Sequence, residues 1–186
     1  MNVAAFDLSL TETGYAIWSY DGLLCGTLVP PKEAKRGMPR LQWIRQAVFA
    51  RAWGKDIVLI EGYSYGSKGR AVINIGELGG VVRLMLYERQ LTYLEVPPTV
   101  VKKLATGKGN ASKDLVLVEA VKRLGYAGAN NNEADALWLL QLAQQHYELP
   151  HRVSLPQTHL EALKTISWPT PHDASQETLP LPTDPE

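Results

Sequence analysis

The sequence predicts an α/β fold: a mixed five-stranded sheet whose first three strands are antiparallel, flanked by helices. Three observations carry this expectation. Asp21-Gly22 sits between two apolar runs, 15–20 and 23–28, which is the strongest short-range hairpin signal. Short apolar runs at 3–6 and 56–60 read as buried strands, the second as one buried on both faces. Beyond residue 38, segments with helical periodicity alternate with strands. The 186 residues, 45% of them hydrophobic, suit one domain with its own core.

In order, the run at 3–6 makes a first strand that delivers Asp7, and the hairpin adds two more. A helix over 39–53 places Leu41, Ile44 and Val48 on one face. The strand at 56–60 ends at Glu61. A helix follows over 71–89, weakened by Gly76, Gly79 and Gly80, and then a strand at 91–96 stopped by Pro97-Pro98. Ser112 can cap a helix running to Leu124, with Leu117, Val121 and Leu124 on one face and Gly125 ending it. The last helix, 133–147, is nearly apolar through 136–142 and is expected to pack deep. Trp43, Trp53 and Trp138 fall in helical patterns and read as core, as does Cys25 in its strand.

Seven of the twelve prolines lie at or beyond Pro150, and hydrophobic patterning thins from there. The expectation is a domain over 1–149 and a Pro-rich, acidic, largely disordered tail over 150–186, with a short helix around 160–166 and no role in cleavage. One Cys excludes a Cys-based zinc site or a disulfide scaffold. No apolar run approaches the ~20 residues of a membrane span, and the N-terminus has no signal-peptide pattern. The expected setting is cytoplasmic.

The formal net charge is zero, from 19 basic and 19 acidic side chains, yet it is unevenly placed. Residues 32–55 hold Lys32, Lys35, Arg36, Arg40, Arg45, Arg51 and Lys55 against one acid, Glu33. Residues 96–125 hold six basic side chains against Asp114 and Glu119. The balance returns to zero partly through the tail. Such runs are ordinarily solvated faces, but they also suit phosphate.

Three acids stand where acids are costly: Asp7 and Glu61 close apolar strands, and Asp135 begins an apolar helix. Singly, each is ordinarily a cap or a salt-bridge partner. Together at one sheet edge they would be stable around Mg²⁺ or Mn²⁺, which prefer oxygen ligands. Two such ions, roughly 3.5–4 Å apart, clamp both oxygens of a phosphodiester displacement.

Four local sequences sharpen the reading. Asp7-Leu-Ser-Leu-Thr-Glu-Thr13-Gly14 resembles the D-x-[GS]-x-x-x-T-G segment that opens RuvC-type Holliday-junction resolvases. IEGYSYG, ending a strand at Glu61, resembles their second motif. VKKLATGKGNASKD resembles their V-K-x-x-x-x-G-x-G-x-A-x-K stretch, and NEADAL their closing D-x-x-D-A-L helix. The first motif also opens actin-like kinases, but those need a second phosphate loop and more length. The four motifs stand in the family's order and span 3–142.

The resemblance implies a ribonuclease-H-like fold and a homodimer that resolves four-way DNA junctions by paired, metal-dependent nicks. It implies Asp7, Glu61 and Asp135 as catalytic residues and metal ligands, with two ions per site. The family's fourth acid falls on Asn132, which can ligate through its carbonyl; Glu133 is the alternative. Lys102, Lys103, Lys108, Asn110 and Lys113 around the GKGNAS loop, and Tyr63, Tyr65, Lys68 and Arg70 after Glu61, are the expected DNA contacts. No membrane or small-molecule cofactor is implied. Rival readings are a related nuclease acting on other branched DNA or RNA, and a catalytically weak junction-binding protein.

Overall fold

The computed structural model describes residues 1–62 and 70–170. β1 (Val3–Asp7), β2 (Thr13–Ser19), β3 (Gly22–Leu28), β4 (Ile57–Glu61) and β5 (Tyr93–Val96) form one sheet in the order β3-β2-β1-β4-β5. β1 pairs antiparallel with β2 and parallel with β4, as the short hairpin and the longer crossover require. Ser19 pairs with Gly22 across the β2–β3 turn, where Gly22 takes φ +112, a conformation that side chains resist.

The sheet separates two cores. Ala4, Phe6, Val58 and Ile60 pack against α1 (Gly37–Ala52) and α2 (Arg70–Glu88). Val3, Ala5, Ile57 and Leu59 pack against α3 (Pro98–Thr106), α4 (Lys113–Leu124) and α5 (Asn131–His146). Both faces of β1 and β4 are therefore covered, which explains their unbroken apolar sequences. Pro97-Pro98 stops β5 and also starts α3, because Pro98 occupies a first-turn position where no amide hydrogen is needed. A short 3-10 turn, Lys32–Ala34, precedes α1.

Four expectations change. The fully buried residues of α4 are Val116 and Ala120; Leu117 and Leu124 pack against the same core as expected, but Val121 is 48% exposed. The small Ala120 lets α4 sit close to α5, and Trp138 reaches across to donate to the Val116 carbonyl. Trp138 and Ile44 are fully buried, but Trp53 is 61% exposed: it follows Ala52, the last residue of the α1 core stripe, and is rotated off that stripe. Cys25 is half-buried rather than core. The packed unit also extends past residue 149. α6 (Gln157–Leu160) and the 3-10 turn Glu161–Thr165 bury His159 and Ala162. Leu155, Leu163, Ile166 and Trp168 lean on the α3–α5 core. Isolated apolar residues between prolines have no period, yet each fills a gap on a preformed surface. Residues 171–186 of the expected tail lie outside the described residues.

Candidate active site

Strand alternation aims two acids at the same helix. In β1, Val3, Ala5 and Asp7 face α5; in β4, Ile57, Leu59 and Glu61 do so. The parallel register reaches Phe6–Ile60, so Asp7 and Glu61 leave the sheet side by side. α5 brings Asp135 onto them from above. One carboxylate oxygen from each of the three lies within 4.8 Å of the other two. Asp7 is 7% exposed and Asp135 3%.

So close a cluster of buried acids resists ionisation. Burial raises Asp7 above its ordinary 3.8, opposed by a hydrogen bond from Glu61 and the charge of Lys113. Glu61 is pushed well above 4.5 by burial and then by Asp7, and the hydrogen bond between the two carboxyls lets the pair share one proton. Asp135 rises to about 6, through burial and then the charge of Asp7, with Lys113 opposing. Lys113 Nζ lies 3.3 Å from Asp135 Oδ2. Burial pulls Lys113 down, but Asp7, Asp135 and Glu61 together raise it, so it remains a cation.

The residues around the triad set its geometry. Thr13, fully buried, donates to the Ser9 carbonyl at 2.8 Å and accepts from the Ser9 amide at 3.1 Å, closing the loop after β1. Gly14 is required by proximity: a Cβ there would lie 2.0 Å from the Asn132 carbonyl oxygen. The first turn of α5 thus rests directly on the β2 backbone. Asn130 caps that turn, accepting from the amides of Asn132 and Glu133. Asn132 donates its side-chain amide to the Glu12 carbonyl at 2.6 Å. Glu133 accepts from Thr27 at 2.5 Å and from the Tyr126 hydroxyl at 2.6 Å, one bond per oxygen. Both oxygens of Glu133 are therefore engaged away from the triad.

Of the expected DNA contacts, Lys113 lies in the triad and Lys102 is near enough for its charge to act on Asp135. Lys108 and Asn110 are exposed on the loop between α3 and α4. Lys103 instead pairs with Glu161 at 3.2 Å. Tyr63, Tyr65 and Lys68 lie outside the described residues, as does the side chain of Arg70, the first residue of α2. Sequence reasoning missed Tyr126, Thr27 and His159. His159 is buried with Nδ1 2.7 Å from the Leu104 carbonyl, supporting α3 from beneath. None of the three belongs to a motif, and only their partners across the fold reveal them.

The three carboxylates form an oxygen-only set with more negative charge than one lysine neutralises, which fits a hard divalent cation. Residues 5–146 match the family model described as crossover junction endodeoxyribonuclease RuvC. The RuvC of Synechococcus sp. (strain WH7803) is 30% identical over 131 residues, covering 66% of this chain and 82% of the relative. That of Anaeromyxobacter dehalogenans (strain 2CP-C) is 29% identical over 160 residues, covering 81% and 85%. In fold, the chain resembles Thermus thermophilus RuvC solved with a Holliday junction substrate, with a TM-score of 0.63 at 22% identity, over 83% of this chain and 98% of that one. It also resembles the fowlpox virus Holliday junction resolvase, with a TM-score of 0.52 at 10% identity, over 79% and 99%. A match running from within β1 to the end of α5 takes in every element that bears one of the three clustered carboxylates, and the chain belongs to the RuvC family of crossover junction endodeoxyribonucleases.

Proposed function

We infer that this chain is an endonuclease that resolves four-way DNA junctions by hydrolysing a phosphodiester at the Asp7–Glu61–Asp135 cluster, inside the cell where such junctions form. The observation that carries the reading is the convergence of three buried carboxylates at one sheet edge, with Lys113 among them. Mg²⁺ or Mn²⁺, two per site, would be held by Asp7, Glu61 and Asp135. Asn132, one turn before Asp135, would be the fourth ligand: its Nδ2 is committed to Glu12, which leaves Oδ1 as the atom that could face a cation. When bound, the ions supply charge neutralisation at the phosphate and a lowered pKa for the attacking water.

The chain's own residues do the rest. Asp7 and Glu61, shed of their shared proton, fix the cation positions from a rigid sheet. Asp135 meets them from a helix start that Gly14 and Asn130 lock in place. Lys113 keeps its proton and stabilises negative charge on the phosphate oxygens. Lys102, Lys108 and Asn110 hold the flanking backbone, whereas Lys103 contributes only after release from Glu161. We assign Tyr63 and Tyr65 to stacking on bases at an opened junction centre, and Lys68 and Arg70, close to them in sequence, to the neighbouring phosphates. Two nicks placed symmetrically require two such sites, hence a homodimer, measurable as a solution mass near twice 20.6 kDa.

Asp7→Asn tests the reading. It should abolish cleavage of a synthetic four-way junction with Mg²⁺ and with Mn²⁺ while binding persists. Full activity in that variant would overturn it. Parallel assays on a flap and an RNA–DNA hybrid separate junction resolution from other branched or hybrid substrates.

A further inference from the structure

The sheet edge that carries the carboxylates continues beyond them, and so does positive charge. The chain leaves β1 at Asp7, enters β2 at Thr13 and leaves β3 at Leu28, all on this edge. Just past β3, a cleft of about 270 Å³ opens between the loop after β1 and the start of α1. Leu10, Val29 and Pro30 wall it; Lys35, Arg40 and Glu12 bring its charges. Among the described residues neither Lys35 nor Arg40 has an ion-pair partner, and Arg40 Nε is buried with nothing to bond. A buried, unpaired guanidinium donor is costly unless an acceptor arrives. The Glu12 carboxylate does not answer it, being drawn towards Asn130 Nδ2 at 3.4 Å. The first turn of α1 holds no acid, and its free amides add to the pull on an anion.

β3 lies two strands from β1, so the cleft stands roughly 10 Å from the triad along the edge. Basic charge thus stands both at the cleft, in Lys35 and Arg40, and at the triad, where Lys113 and Lys102 act on Asp135. We propose that the Lys35–Arg40 cleft binds a backbone phosphate of the substrate DNA, a short way along from the phosphate at the triad, and so fixes the direction in which that arm crosses the protein. The site rests on the nuclease reading and adds a contact outside the motifs that support it.

The test is equilibrium binding of the full chain to a four-way junction in metal-free buffer, titrated with salt. Lys35→Glu, at an exposed position that will tolerate it, and Arg40→Gln should each weaken binding roughly tenfold and flatten the slope of log affinity against log salt by about 1. Junctions carrying one uncharged methylphosphonate locate the contact. One position near the nick should weaken wild-type binding several-fold and leave Arg40→Gln unaffected. Unchanged affinity and slope in both variants, or equal methylphosphonate penalties in wild type and variant at every position, would overturn the site. So would loss of inorganic phosphate binding without loss of junction affinity, which would mark a free-anion site. A wild-type chain that does not bind the junction at all would instead sink the nuclease reading.

Discussion

Asp135 shows how a single buried group ties stability to chemistry. Its folded pKa of about 6 exceeds the ordinary 3.8, so the folded state holds a proton that the unfolded state releases first. That contribution to stability is complete below about pH 4 and disappears as pH rises through 6. The gap between 3.8 and about 6 corresponds to roughly 3 kcal/mol. We therefore predict that the metal-free protein melts at progressively lower temperature from pH 4 to 7.5. Asp135→Asn should melt higher than wild type at pH 7.5 while losing cleavage, and Mg²⁺ or Mn²⁺ should restore wild-type stability. A variant that melts lower than wild type at pH 7.5 would contradict this. Lys113 acts in the opposite sense, lowering Asp7 and Asp135. Lys113→Met should move the rising limb of the cleavage pH profile to higher pH, and should reduce the rate by about 10²-fold or more, as loss of one preorganised charge-stabilising group does.

At the scale of elements, the seating of α5 matters most. A methyl group at Gly14 would overlap the Asn132 carbonyl, so Gly14→Ala must push the helix start away from β2. Overpacking of this kind costs about 1–3 kcal/mol. The expected outcome is a denaturation midpoint shifted accordingly and cleavage lost more completely than stability. Tyr126→Phe, which strips Glu133 of one donor, should cost about 1–3 kcal/mol and weaken cation affinity by loosening the same turn. Titration of Mn²⁺ against both variants measures this. The motif residues Asp7, Gly14 and Asp135 were legible because fixed spacing exposes them. The seating that makes Gly14 necessary was not, since it joins β2 to a helix more than a hundred residues away. The face of α4 was legible only in part, in Leu117 and Leu124 but not Val121, for a related reason. Leu117, Val121 and Leu124 have the right period, but the fit of Ala120 under α5 decided the rotation, and periodicity cannot weigh that.

For the whole molecule, the five strands and their antiparallel beginning were legible from Asp21-Gly22 and the unbroken apolar runs. The extent of the packed unit was not. Residues 155–168 are held by separate gap-filling contacts, among them His159 on Leu104 and Lys103 on Glu161. The chain leading to them is tied to α5, where Gln141 and Gln144 donate to the carbonyls of His151 and Pro150. A chain ending at residue 150 should therefore lose on the order of 3 kcal/mol or more, given the apolar surface these residues cover. A chain ending at residue 170 should keep its melting temperature and its cleavage rate. Thermal melts of the two truncations, with junction cleavage below both midpoints, check this directly.

The crossing of β1, β4 and α5 at one edge has a consequence for how such an enzyme is made. Its cluster draws on positions 7, 61 and 135, and no two of the three belong to neighbouring elements of the chain. A polypeptide still emerging from the ribosome contains Asp7 and Glu61 long before α5 exists, so it holds two of the three clustered carboxylates and lacks the third. Competence arrives only with the closing helix.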